Sequence, residues 1–121
     1  MDDIRLGAVE ARFAGIIWEN EPVTTVQLIG ICEKELKWKR TTTYTVLKRL
    51  CERGLFVNNG GVITSAMNKN DFNSAQSEKF VEERFNGSLP AFIAAFTAHR
   101  KLSDAEIKEI RAMIEASRGE N

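Results

Sequence analysis

The sequence predicts a mainly α fold carrying one small β hairpin, with a further run of helices after it. Three observations carry that prediction. Apolar residues recur at three- and four-residue steps in segments bounded by recognisable caps. Two short β-prone runs flank Asn58-Asn59-Gly60-Gly61, and beyond Met67 the chain reads only as amphipathic helix. With 121 residues, 43% of them hydrophobic, the chain is long enough for one compact domain or for a small domain with an appendage, and too short for two large ones.

The first helix is expected over Ala8 to Asn20, with Val9, Phe13, Ile16 and Ile17 on its apolar face, Gly7 as N-cap and Glu10 at N3. Glu21-Pro22 stops it, because proline removes a donor and disfavours helix in the residue before it. The next helix has a full set of start signals: Thr24 as N-cap, Gln27 three residues on, and Val23 placed to staple onto Leu28. Leu28, Ile29, Cys32 and Leu36 form its stripe, and the polar run Lys37-Trp38-Lys39-Arg40 leads out of it.

A third helix, about Thr42 to Arg53, divides between two faces. Thr43, Val46, Leu47, Leu50 and Cys51 point to a core, whereas Thr41, Tyr44, Thr45 and Lys48 share the opposite side. Gly54 is suited to close it in the left-handed conformation, with Leu55 folding back on Leu50. Leu55-Phe56-Val57 and Val62-Ile63-Thr64 then pair as a two-stranded wing around the Asn-Gly step. Three helices and a hairpin in this order are the signature of a winged helix-turn-helix, whose third helix is the one offered to the major groove of DNA.

After the wing, Asn70 or Asp71 is expected to cap one helix ending near Asn86-Gly87, Ser88 with Pro90 to open another, and Ser103 with Glu106 to open the last, Leu102 lying over Ile107. The division expected is 1–68 for the winged-helix domain and 69–121 for a helical dimerisation region. Three small helices offer too little mutual burial to offset their ordering entropy, so their apolar positions need a partner. Leu89, Phe92, Ile93, Phe96, Ile107, Ile110 and Ile114 are the seam of a homodimer on this reading.

Seventeen basic and seventeen acidic residues give zero formal charge, but the balance is uneven along the chain. Residues 34–53 carry +5 and the remainder −5. Lysines and arginines there bracket a helix whose outer face is Thr, Tyr, Thr and Lys. Short hydroxyl side chains approach phosphates and base edges closely, and a threonine methyl can meet a thymine methyl. Lys39, Arg40, Lys48 and Arg49 would supply the sequence-independent phosphate attraction, and the outer face of Thr41, Tyr44, Thr45 and Lys48 the discrimination.

Other classes of function fare poorly. His99 is the single histidine, and no HExxH, GxSxG, P-loop or GxGxxG pattern accompanies it, so no catalytic role is expected. Glu82-Glu83 and the pair Glu106 and Glu109 have the spacing of a solvated helix face. Cys32 and Cys51 form no CxxC pair; two reduced, buried thiols are the simplest reading, with a disulfide or a shared zinc ion as the alternative. No metal or cofactor is expected. No run approaches the roughly 18 to 20 apolar residues of a membrane span. Met1-Asp2-Asp3 is unlike the basic opening of a signal peptide, which leads to a cytoplasmic expectation.

Leu6-Gly7-Ala8-Val9-Glu10, Ile16-Ile17-Trp18 and above all the block Thr41 to Leu50 followed by Gly54-Leu55 resemble the penicillinase-repressor family of bacterial transcriptional regulators. The resemblance spans nearly the whole chain. It implies a homodimer of winged-helix lobes joined by C-terminal helices, bound to a dyad operator and blocking transcription. It also implies that the helix carrying Thr41, Thr42, Tyr44, Thr45 and Lys48 enters the major groove. Members of the family answer to β-lactam sensing through a membrane protease, or to copper.

The chain departs from the family pattern at four places. Gly7 stands where Ser or Thr is usual, a difference of only a few tenths of a kcal/mol. The wing has no Lys or Arg between Arg53 and Lys69, which leaves Asn58, Asn59 and the backbone as its DNA contacts. The protease-sensitive Asn-Phe step of the β-lactam repressors falls on Ala95-Phe96, where Phe96 matches and Ala95 does not. The last residues, Ser117 to Asn121, hold no cysteine, so the copper-binding motif is absent. A protein-interaction adaptor on the same scaffold is the rival reading, motivated by the uncharged wing and the acidic remainder.

Overall fold

A computed structural model describes residues 6–119; the Met1-Asp2-Asp3 opening lies outside them. The elements are α1 (Ala8–Asn20), β1 (Val23–Thr24), α2 (Thr25–Leu36), α3 (Arg40–Glu52), β2 (Phe56–Asn59), β3 (Val62–Ser65), α4 (Lys69–Phe85), α5 (Leu89–Thr97) and α6 (Asp104–Ala116). The fold is a mainly helical winged helix with a small antiparallel sheet of order β1-β3-β2. The chain forms two compact units, one through Ser77 and one from Glu78.

In the first unit, α1 buries Phe13, Ala14, Ile16 and Ile17. Val9, expected on that face, is 55% exposed. It shares the angular stripe but sits in the first turn, where nothing among the described residues covers it. Glycine has no side chain to cap with, so only half of the α1 box forms: the Gly7 N–H donates to Glu10 Oε1 at 3.3 Å. At α2 the box is complete, with Gln27 N–H donating to Thr24 Oγ1 at 3.1 Å and Thr24 N–H to Gln27 Oε1 at 3.0 Å. Leu28 and Cys32 are its buried positions, while Ile29 and Leu36 are half-buried.

The wing has three strands rather than the two expected. Val23 and Thr24 pair with Ile63 and Val62. A two-residue strand joined to its partner across some forty positions leaves no alternation for local patterning to read. The β2–β3 hairpin closes on Gly60-Gly61, not on an Asn-Gly step, because Asn59 is still paired with Val62. Both loop residues have positive φ, +57° and +92°, as a tight primed turn demands. Trp18 fixes the sheet to α1: its ring lies 5.4 Å from that of Phe56 and 5.5 Å from that of Phe72, and its Nε1–H donates to the Met67 carbonyl at 3.0 Å. The Glu21 carboxylate completes the frame by accepting from both the backbone N–H and the hydroxyl of Ser65.

The cap of α4 is Asn68, earlier than the Asn70 or Asp71 expected: its Oδ1 accepts from the Asp71 N–H at 2.8 Å. Four residues, Asn68 to Asp71, contain three side chains able to cap, and the burial of Phe72 beside Trp18 selects among them.

In the second unit, Ser88 accepts from the Ala91 N–H at the start of α5, and Ser103 and Glu106 complete a capping box on α6. The Ser103 N–H holds the Glu106 carboxyl below its ordinary pKa. Phe80, Phe85, Phe92 and Phe96 form a chain of ring contacts 5.5 to 6.1 Å apart. Yet α5 and α6 contain no buried residue, and Leu89, Ile93, Phe96 and Ile114 are exposed. Phe92, Ile107 and Ile110 are half-buried.

Candidate nucleic-acid interface

Helix α3 begins at Arg40, two residues earlier than expected, with Lys39 as an N-cap that makes no side-chain bond. Its inner face buries Thr43, Val46, Leu47 and Leu50 against the core, and Cys51 is half-buried. Packing of that face is what turns Thr41, Tyr44, Thr45 and Lys48 to solvent, all of them exposed. The helix ends as expected, in a Schellman turn: the Leu55 N–H donates to the Leu50 carbonyl and the Gly54 N–H to that of Cys51, each at 3.0 Å, with Gly54 at φ +86°.

Lys37 takes the left-handed conformation at φ 59° to reverse the chain between α2 and α3. Trp38, assigned above to a polar run, is instead half-buried, its ring 5.2 Å from that of Phe13. One aromatic among three cations reads as a surface segment; here it anchors the helix-turn-helix to α1.

Three contacts pre-arrange the outer side chains of α3. The Arg40 guanidinium lies over the Tyr44 ring, 5.7 Å from its centroid. The Thr45 hydroxyl donates to the Thr41 carbonyl at 2.9 Å. Arg49 Nη1 is 2.7 Å from Glu10 Oε2 in an ion pair whose side chains are 51% and 22% exposed. The Arg49 hydrogen bond is the largest cause holding the Glu10 carboxyl below its ordinary pKa, with the Gly7 N–H and the charges of Arg49 and Arg53 adding to it. Helical periodicity could not show this pair, since its partners lie 39 residues apart.

Asn58 and Asn59 are both exposed on the wing, but the Asn58 Oδ1 accepts from the Gly61 N–H at 2.9 Å and so braces the hairpin. Val57 and Val62 also face solvent there. Ala95 and Phe96 are exposed in the second half of helix α5, and the Arg100 guanidinium lies 5.1 Å from the Phe96 ring centroid.

Both cysteines are free. Burial pushes both thiols above their ordinary pKa, which keeps them protonated and poor as nucleophiles or metal ligands. The Thr43 Oγ1 is buried without a hydrogen-bond partner of good geometry, although it lies near enough to the Cys32 thiol to oppose in part the upward shift that burial causes there. No three His, Cys, Asp or Glu residues gather into a metal site among the described residues, and no helix there is long and apolar enough to cross a membrane.

A winged helix-turn-helix with a cationic, hydroxyl-rich helix on its surface defines the class. The chain belongs to the penicillinase repressor family, whose profile matches residues 6–116. It is 24% identical over 115 residues to the penicillinase repressor of Bacillus licheniformis, covering 92% of this chain and 90% of that one. The family is one of transcriptional repressors rather than of enzymes.

Proposed function

We propose that this protein is a sequence-specific DNA-binding repressor, acting in the cytoplasm as a homodimer on a palindromic operator. The observation that carries the reading is the outer face of α3, where Thr41, Tyr44, Thr45 and Lys48 are exposed on the helix that a winged helix offers to the major groove. Thr42, Lys39 and Arg40 extend that surface at its N-terminal end, and Arg49 flanks it with the N–H groups that Glu10 leaves uncommitted. Asn58, Asn59 and the backbone of the wing contact the sugar-phosphate edge without charge. The exposed apolar residues of α5 and α6, with Leu89, Phe92, Ile93, Phe96, Ile107, Ile110 and Ile114 in the seam, join two copies. Two recognition helices related by a dyad then sit about one DNA turn apart, roughly 34 Å or a small multiple of it, which is why the operator is a palindrome. Ala95-Phe96 is the step at which a sensor protease would cut.

The uncharged wing with exposed Val57 and Val62 supports one rival, an adaptor that binds protein instead of DNA. Selection of binding sites from a genomic fragment library at two salt concentrations separates them. A repressor enriches a palindrome and loses affinity with a slope of about −0.9 per phosphate contact in log–log terms. Salt-sensitive binding without enrichment defeats the operator reading, and no binding at either salt favours the adaptor.

A further inference from the structure

We infer that α3 selects its operator half-site through two side-chain pairs already formed in the free protein: Arg40 on Tyr44 reads a guanine, and Thr45 tied to Thr41 reads a T·A base pair. The inference rests on the operator reading proposed above.

Because α3 starts at Arg40, this residue occupies the first turn, the end of a recognition helix whose residues reach base edges, which gives it a base-reading role in place of the phosphate contact expected from the sequence. Its guanidinium lies over the Tyr44 ring, which itself remains 40% exposed. With its central carbon 5.7 Å from the ring centroid, the guanidinium is held near the ring by cation–π attraction, a contact that uses none of its N–H groups. Among the described residues Arg40 makes no ion pair, whereas Arg49 is engaged with Glu10. A planar fork with free N–H edges matches the two acceptors, O6 and N7, that guanine displays in the major groove. Tyr44 is on this account a positioning residue: it limits where the fork points before DNA arrives.

Thr45 follows from proton counting. A hydroxyl has one hydrogen to donate, and the bond to the Thr41 carbonyl uses it. What Thr45 offers outward is a methyl group and an acceptor. A T·A pair presents the complement of both, the thymine methyl and the adenine N6 amino group; a G·C pair offers an amino donor but no methyl. Thr45 therefore favours T·A and gives guanine acceptors nothing to receive.

The test uses the full chain and the operator selected from a randomised duplex library. Affinity is then measured on that operator and on two altered forms, one with the guanine replaced by adenine, the other with the thymine replaced by uracil, which lacks only the methyl. The parent is expected to lose about tenfold or more on the first and roughly fourfold on the second. Arg40→Ala and Tyr44→Leu should erase the guanine penalty while Tyr44→Phe keeps it, with the salt slope unchanged in both Tyr44 variants. Thr45→Val should keep the uracil penalty and Thr45→Ser should erase it. Circular dichroism monitors the fold of each variant, all of whose changes are on the exposed face. An enriched operator without the guanine or the uracil penalty overturns the inference and leaves the repressor reading intact, as does a Tyr44→Leu protein that keeps its full guanine penalty. Failure to enrich any operator overturns both.

Discussion

The two compact units differ in where their apolar residues go. Every buried core residue among the described ones, from Phe13 to Phe72, belongs to the first unit. Helices α5 and α6 of the second bury none, although α5 alone carries Leu89, Phe92, Ile93 and Phe96. Equal helical periodicity thus leads to two outcomes. In the first unit three helices and a sheet close over one another; in the second, short helices line up aromatic rings but leave Leu89, Ile93, Phe96 and Ile114 exposed. Amphipathic patterning says that a face needs covering and does not say by what.

The largest effect that separates the units is on core truncation. Phe13→Ala should cost about 3–5 kcal/mol and lower the melting temperature of the first unit by roughly 12 °C or more in calorimetry. A comparable mutation in the tail should act on association instead: Phe92→Asp is expected to convert a dimer to a monomer in sedimentation equilibrium while the melting of the first unit stays within about 1 kcal/mol of the parent. An intact dimer from Phe92→Asp, or a collapse of the first unit, would erase the distinction between the two regions.

Thr43→Val sharpens the comparison from the other side. The buried hydroxyl has no partner of good geometry, and a methyl of similar shape removes the desolvation penalty, so the first unit should gain about 1 kcal/mol in denaturant unfolding. The smallest effect concerns Glu10. Its folded-state pKa is depressed chiefly by the Arg49 hydrogen bond, so its contribution is present above the ordinary carboxylate range and lost as pH falls through the lowered folded value. For so exposed a pair the worth is under about 1 kcal/mol, and Glu10→Gln should flatten the acid limb of the stability profile by that amount.

What the sequence revealed was local. The caps at Thr24, Ser88 and Ser103, the stop at Gly54 and the two faces of α3 all depend on residues within one or two turns of each other. What it hid was distant or ambiguous. The β1–β3 pairing and the Glu10–Arg49 ion pair join segments about forty residues apart. Trp38 lies in a run of cations, and only the position of Phe13 turns it inward. Asn68 competed with equally good capping residues until Phe72 found Trp18. At the candidate interface, helical periodicity indicated which side chains α3 exposes, but the Arg40–Tyr44 contact and the donor spent by Thr45 needed coordinates.

The bare faces of α5 and α6 have a consequence for dosage. Where pairing of two copies is what covers those helices, the dimer population rises with the square of monomer concentration at low abundance. On the homodimeric repressor proposed above, operator occupancy then rises more steeply than in proportion to the protein present, and a modest fall in synthesis relieves repression out of proportion to the protein lost.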